Sequence, residues 1–348
     1  MSRRRGDDAD VHGLLNVCKA RGFTSHEVVA VVRRTLGTRR VGHAGTLDPL
    51  AEGVLPVCVG RYTRLVDLIA DTEKGYYAEI ELGVSTTTDD AEGEVVECRD
   101  VPPLTSEMLE PVLAQFRGPI HQVPPAFSAI KVNGKRAYDL ARRGASPGLV
   151  ARPVTIHQLD LVRCEPAHLT VLVVCSKGTY IRSLARDLGA ALGCGAHLTR
   201  LIRLWVGSFK LADAVSLDEI GVAARSGRLE TVLRTADTAL ASLPALLVPD
   251  RRAIDLGYGR PWPAGVGAAP GRPTRVYDTS GRLLGLAEYD RRRQVWQPRL
   301  SLIQAQTAAA GSVTRGAATE TPAPRAPGPE FSGTSENPNC PVGDEHDG

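Results

Sequence analysis

Apolar residues recur with different periods along this chain, and each period predicts an element. Between Ser25 and Leu36, the residues Val28, Val29, Val32 and Leu36 fall on one side of a 3.6-residue turn, which predicts a helix. Ser25 can cap its start and Gly37 can end it. Tyr77 to Leu82 alternates apolar and polar, the period of a half-buried strand. The runs Val54-Leu55-Pro56-Val57-Cys58-Val59 and Leu169 to Cys175 are almost wholly apolar and read as strands, the second a central one. Ile181, Leu184, Ala185 and Leu188 then give a helix face. Leu109, Val112, Leu113 and Phe116 have helical spacing too, but Pro111 leaves the start of that helix open, because proline lacks the N–H a helix interior needs. Helices and strands are interspersed without a regular βαβ repeat, so the fold class is α+β around a mixed sheet.

Gly118 to Arg152 breaks these patterns. It is rich in Pro, Gly, Lys and Arg, includes Lys131, Lys135, Arg136, Arg142 and Arg143, and has few apolar runs. Such a segment is a solvated surface excursion or a functional insertion. After an alanine-rich helical region, Gly257-Tyr258-Gly259-Arg260-Pro261 and then Thr274 to Ala287 read as short strands joined by a glycine turn. Residues 1–10 are polar, and beyond Gln306 large apolar residues almost vanish, so both ends are expected to be disordered.

Bulk composition narrows the function classes. A chain of 348 residues with 43% hydrophobic content holds one to three domains with a sizeable core. Nothing approaches the ~20 apolar residues that span a bilayer. The start, Met1 to Asp8, is basic but lacks the apolar core of a signal peptide, so a cytoplasmic location is expected. The seven cysteines form no C-x-x-C pair, so their spacing offers no zinc site, and they read as buried or incidental thiols. Net charge is +3 overall, but the acidic tail from Gln306 carries −4, which leaves +7 on the rest. A basic body suits an RNA binder.

The densest chemistry lies in Gly42-His43-Ala44-Gly45-Thr46-Leu47-Asp48-Pro49-Leu50. Two glycines and a proline make a close-approach loop from which one carboxylate can project as a nucleophile. Asp48-Pro49 is equally the start signal of a helix, with Asp as N-cap and Pro at the first position. The adjacent Ser25 and His26 do not form a hydrolase dyad, since helix neighbours do not face each other. No Walker or dinucleotide glycine motif occurs in a suitable context, and no cluster of metal-ligand type, so neither cofactor nor metal is expected.

Company decides between the two readings of Asp48. Upstream stands Gly13 to Ser25, with Asn16-Val17-Cys18-Lys19-Ala20-Arg21-Gly22. Downstream stand Lys74-Gly75-Tyr76-Tyr77, Leu82 to Gly93, Gln122 to Lys131, and Ser176-Lys177-Gly178-Thr179-Tyr180-Ile181-Arg182-Ser183-Leu184. In this order these motifs resemble the TruB family of tRNA pseudouridine synthases, densely from Gly13 to Phe209 and more loosely to about Leu302. Lys19-Ala20 departs from the family's usual Lys-Pro, which relaxes one turn.

The resemblance implies a pseudouridine synthase fold, with a largely antiparallel sheet, flanking helices and a small β-rich PUA-like domain at the C-terminal end. Its domains would be a catalytic one at 11–245, with an RNA-gripping insertion at 118–152, and an RNA-binding one at 246–305. The activity implied is isomerisation of uridine to pseudouridine at position 55 of the tRNA T-loop, with no cofactor. Asp48 is the implied nucleophile, acting at C1′, adding at C6, or assisting loss of the 2′ proton. Arg182 would pair with it through a guanidinium fork. Tyr76 would stack on the flipped uracil, Tyr180 would be a second aromatic of the pocket, and Leu201 an apolar wall. His43 would fill the space the base vacates. Lys131, Lys135 and Arg136 would meet RNA phosphates. The expected partner is the tRNA T stem-loop, met by a monomer without guide RNA or membrane. The alternative is a tRNA-folding chaperone with catalysis secondary or lost.

Overall fold

The computed structural model describes residues 11–128, 130–132, 134–146, 148–264 and 271–303. The disorder expected of 1–10 and of the tail from 306 falls outside them. The chain divides into two compact units between Leu233 and Arg234. In chain order the first carries β1 (Gly13–Lys19), α1 (Ser25–Leu36), β2 (Val41–His43), β3 (Glu52–Val59), α2 (Val66–Ala70), β4 (Lys74–Leu82), β5 (Val84–Thr86) and β6 (Val95–Cys98). It continues through α3 (Ser106–Ala114), β7 (Gly118–Gln122), β8 (Lys131–Val132), β9 (Lys135–Arg136), α4 (Ala137–Ala141), β10 (Arg152–Glu165), β11 (His168–Cys175), α5 (Ile181–Ala191), β12 (Ala196–Val206), β13 (Phe209–Lys210) and α6 (Leu217–Arg225).

A nine-stranded sheet organises this unit in the order β1-β3-β12-β4-β11-β10-β7, with β2 and β13 attached to β3 and β12. Every pairing is antiparallel except β12 on β3, which makes the sheet mixed. One cluster packs α3 and α5 on β4, β11 and β12, through Leu113, Ile80, Val171, Leu184 and Leu188. A second packs α1 and α6 on β1 and β3, through Val28, Val32, Leu15, Leu55 and Ile220.

Sequence expectations shift at several element boundaries. Thr24, not Ser25, caps α1: its hydroxyl accepts from the Glu27 N–H, and the Glu27 carboxylate accepts from the Thr24 N–H, a reciprocal capping box. Ser25 is thereby freed for the loop described below. Gly37 ends the helix at φ 62°, a left-handed conformation that favours glycine. Helix α3 starts ahead of Pro111, at Ser106, with Thr105 as N-cap, because buried Leu109 and Leu113 anchor both sides of the proline. Gly118–Gln122 is the edge strand β7, paired with Arg152–Ile156 of β10, so the excursion runs from 123 to 151.

The second unit carries α7 (Ala236–Leu240), β14 (Ala245–Leu247), α8 (Asp250–Gly257), β15 (Trp262–Pro263), β16 (Thr274–Tyr277), β17 (Leu283–Asp290) and β18 (Val295–Ser301). Its five strands form one sheet, β14-β16-β17-β18-β15, around Leu256, Trp262, Val276 and Trp296. It begins at Arg234 and includes α7, where Asp237 pairs with Arg275 (3.4 Å) and accepts from the Tyr277 hydroxyl. Gly257 to Pro261 is the end of α8 and a turn, not a strand. Among the described residues no helix is long and apolar enough to cross a membrane.

Candidate active site

Asp48 lies in the loop between β2 and β3, and no helix follows it, so its helix-start reading fails. Both of its chain neighbours are held. On one side the Ser25 hydroxyl accepts from the Leu47 N–H (2.8 Å) and donates to the Leu47 carbonyl (3.0 Å). On the other, the Pro49 carbonyl accepts from the Gly22 N–H (2.8 Å) and from Lys19 Nζ (3.4 Å). The turn around Ala20 therefore closes without the family's proline, tied by Lys19 Nζ to the carbonyls of Ala20 (3.0 Å) and Phe23 (2.6 Å). Burial pulls the Lys19 amine down to about 8, while the Asp48 charge opposes that fall. Between these holds the Asp48 side chain remains 35% exposed and faces a cleft of about 1060 Å³.

Arg182, in the first turn of α5 and 5% exposed, places its Nε 2.9 Å from Asp48 Oδ2. The N–H there is not aligned for a hydrogen bond, so the contact is Coulombic. The expected fork on Asp48 does not form. The terminal nitrogens go instead to the carbonyls of Thr88 (3.0 Å) and Phe127 (3.0 Å), and Nη1 lies 3.5 Å from Asp90 Oδ2. Arg182 thus joins the Asp48 loop, the loop after β5 and the root of the excursion. Asp90 is itself buried and accepts from the Glu92 N–H (3.1 Å). Glu92 faces the same cleft, and burial, then Asp90 and Asp48, push its carboxyl up.

The sheet supplies the cleft's floor. Lys74 and Tyr76 point into it from β4, and Leu201 and Arg203 from β12, where Tyr76 is in register with Arg203. Tyr76 is 6% exposed, and burial pushes its phenol up to about 12 against the pull of Arg203. A neutral ring of this kind offers a stacking face. Leu201 is buried against the same space, as an apolar wall. Lys74 donates to the carbonyls of Ala70 (2.8 Å) and Thr72 (2.7 Å), and burial draws its amine down to about 8.

Tyr180 precedes α5, with its peptide clamped by Gln122: the Tyr180 N–H donates to Gln122 Oε1 (2.8 Å) and the Tyr180 carbonyl accepts from Nε2 (3.1 Å). Burial, then the Asp48 charge, push its phenol up. The excursion reaches the cleft through Phe127 and Tyr138, whose rings meet edge to face at 5.9 Å, with the Arg142 guanidinium 5.4 Å from the Tyr138 centroid. Lys131 is exposed on the β8–β9 hairpin, whose backbone also carries Lys135 and Arg136.

His43 is the expected residue that does not line the cleft. It ends β2 with Nδ1 buried and without a hydrogen-bond partner among the described residues, and burial pulls its imidazole down to about 4. His26, 5.5 Å away ring to ring, faces the cleft in its place. Sequence reasoning missed Asp90, Arg203, Phe127 and Tyr138. Arg203 carried a signal, since it stands two residues from Leu201 and so on the same face of a strand. Among the described residues no cluster of ligand-type side chains could hold a metal ion.

Two family models match this chain. Residues 33–181 match the TruB family pseudouridylate synthase N-terminal domain, and 182–241 the tRNA pseudouridylate synthase B C-terminal domain. The tRNA pseudouridine synthase B of Ruegeria pomeroyi is 45% identical over 75% of this chain and 86% of its own length. The chain belongs to the TruB pseudouridylate synthase family. Its TruB relatives include the enzymes of the same name from Symbiobacterium thermophilum, at 47% identity over 74% of this chain and 86% of theirs, and from an Arthrobacter species, at 44% over 79% and 92%. The junction between the two TruB models, at 181/182, falls at the start of α5 inside the first unit and is not a structural boundary. Among solved structures, a Cbf5-Nop10-Gar1 complex matches with TM-score 0.66 at 24% identity over 85% of this chain and 86% of that one, and the archaeal box H/ACA sRNP Nop10-Cbf5 complex with 0.65 at 22% over 86% and 89%. These two share the TruB fold.

Proposed function

We propose that this chain isomerises uridine to pseudouridine in tRNA, at position 55 of the T-loop, with Asp48 as the nucleophile. The observation that carries this reading is a half-exposed carboxylate in a loop held on both sides, facing a nucleotide-sized cleft with Arg182 Nε at 2.9 Å. Membership of the TruB family and identities of 44–47% to relatives named tRNA pseudouridine synthase B support it.

A stacked uridine must first leave its stack, at a cost of a few kcal/mol that contacts in the cleft offset. Tyr76 takes one face of the uracil, Leu201 bounds it, and Tyr180 flanks it. His43, neutral at physiological pH, helps occupy the vacated space from the side of His26. Breaking N1–C1′ leaves the electron pair on the uracil and a cationic C1′. The base turns, C5 bonds to C1′, the C5 proton is lost and N1, freed of the sugar, gains a proton. Composition is conserved, so the reaction consumes neither an oxidant nor an energy source. Asp48 serves attack at C1′, addition at C6 or removal of the 2′ proton, in each case as a carboxylate with Arg182 Nε 2.9 Å away. Lys131, Lys135 and Arg136 grip the T stem through its phosphates. The unit from Arg234 is a PUA-like RNA-binding domain. The enzyme works in the cytoplasm as a monomer and reads tRNA directly, without a guide RNA.

Incubation with an unmodified tRNA transcript, followed by chemical mapping of pseudouridine, tests the reading. One new pseudouridine at position 55 is expected. No pseudouridine, or modification only elsewhere, would sink it, and refolding of tRNA without modification would point to a chaperone.

A further inference from the structure

We infer that Arg203 is a positioning residue for this reaction: its guanidinium clamps the loop carrying Asp48 from both ends, and turnover depends on that clamp. The inference rests on the function proposed above. Arg203 is 1% exposed, the bulkiest of the fully buried side chains. Its Nη2 donates to the Gly45 carbonyl (3.0 Å) and Nη1 to that of Thr46 (3.3 Å), both ahead of Asp48. Its Nε donates to the Val54 carbonyl (2.7 Å), beyond Asp48. One planar group therefore fixes the distance between the two ends of the catalytic loop. Guanidinium geometry suits this task, because its donors are rigidly splayed.

Two further observations set Arg203 apart from a stability residue. Among the described residues no carboxylate lies within ion-pair distance of it. A buried cation held by carbonyl dipoles and the neighbouring Tyr76 hydroxyl, with no carboxylate partner, is costly, and an apolar side chain of similar bulk generally serves folding as well or better. The backbone around it is also built for close approach. Gly53 opposes Arg203 in the parallel β3–β12 pairing at φ 100°, and a Cβ there would stand 2.4 Å from the Arg203 carbonyl. Gly45, whose carbonyl Arg203 holds, has φ 108°. Strand β12 shifts register between Arg203 and Trp205, directly after the clamp. Arg203 also faces the cleft beside Tyr76, which links the loop's placement to the ring that receives the base.

The test compares Arg203→Lys and Arg203→Met with wild type, using single-turnover pseudouridine formation at saturating tRNA, tRNA affinity and melting temperature. Lysine keeps the charge but lacks the splayed planar donors that span both ends of the loop; methionine keeps an unbranched apolar chain without charge or donors. Misplacing a catalytic group by about 1 Å costs on the order of 100-fold, so both variants should lose about 100-fold in rate while tRNA affinity stays within about twofold. In Arg203→Ala, millimolar guanidinium should restore part of the rate, a response that a purely structural side chain would not give. Either folded variant turning over within about threefold of wild type overturns the inference. So does a rate loss matched by an equal loss of affinity, or failure of both variants to fold, which would make Arg203 a folding residue. If wild type itself forms no pseudouridine, the proposed function falls and takes the clamp with it.

Discussion

Asp48 and Arg182 are separable by mutation because they do different work. Asp48→Asn keeps size and removes charge, so pseudouridine formation should fall to background while tRNA affinity, which rests on phosphate contacts, holds within about twofold; filter binding beside chemical mapping checks both. Arg182→Lys should cut the rate by on the order of 100-fold, not through a lost fork but because one ammonium cannot meet Asp48, Asp90 and the carbonyls of Thr88 and Phe127 together. The buried titratable groups also leave a signature in stability. Burial lowers the Lys19 and Lys74 amines from 10.5 to about 8, so above pH 8 the unfolded chain holds more protons and stability rises with pH, by at most about 1.4 kcal/mol per unit for each lysine. Burial raises the thiols of Cys58 and Cys175, from 9.0 to about 12 and about 11, and the Tyr76 phenol from 10.0 to about 12. Those groups stay protonated in the fold after the unfolded chain has lost its protons, so stability then falls as pH rises. A melting temperature that climbs from pH 8 to about 9 and turns down above about 10 is expected; a monotonic decline from pH 8 would contradict the buried amines.

Among the elements, long periodic segments were the most legible. Helices α1 and α5 and strands β3, β4 and β11 stand where their patterns place them, because each buries a continuous set of apolar residues. Boundaries were less so. Thr24 and Ser25 are both good caps, and only the tertiary contact with Leu47 assigns Ser25 elsewhere. Gly118–Gln122 carries a glycine and a proline that mask a strand, and Ile120 earns its place in the core only through pairing with β10. Asp48 and Arg182 were readable from motifs. Asp90 was quoted within a motif, yet its partnership with Arg182 spans the sequence and has no local period. The β8–β9 hairpin gives the element-scale test. Neutralising Lys131, Lys135 and Arg136 together should weaken tRNA binding and lower the log–log salt slope by roughly two to three units, with little change in rate at saturating tRNA. An unchanged slope and affinity would show that these charges touch no phosphate.

At the scale of the molecule, every cleft residue lies before Leu233, and the second unit has its own apolar core. A chain ending at Leu233 should therefore fold and keep its single-turnover rate at saturating RNA, while its tRNA affinity drops by on the order of tenfold through lost phosphate contacts; a collapse of the rate would show that the second unit shapes the cleft. The order of strands has a consequence for synthesis. Strand β12 is among the last of the sheet to be made, yet it sits between β3 and β4. A growing chain thus holds β1–β3 on one side and β4–β11–β10–β7 on the other, each with an open edge, until residues 196–206 leave the ribosome. Leu201 and Arg203 arrive on that same strand, so a half-made chain has exposed edges and no working cleft. Catalytic competence and protection from aggregation are acquired in one closing event, and a ribosome stalled before β12 should yield inert chains that need a chaperone.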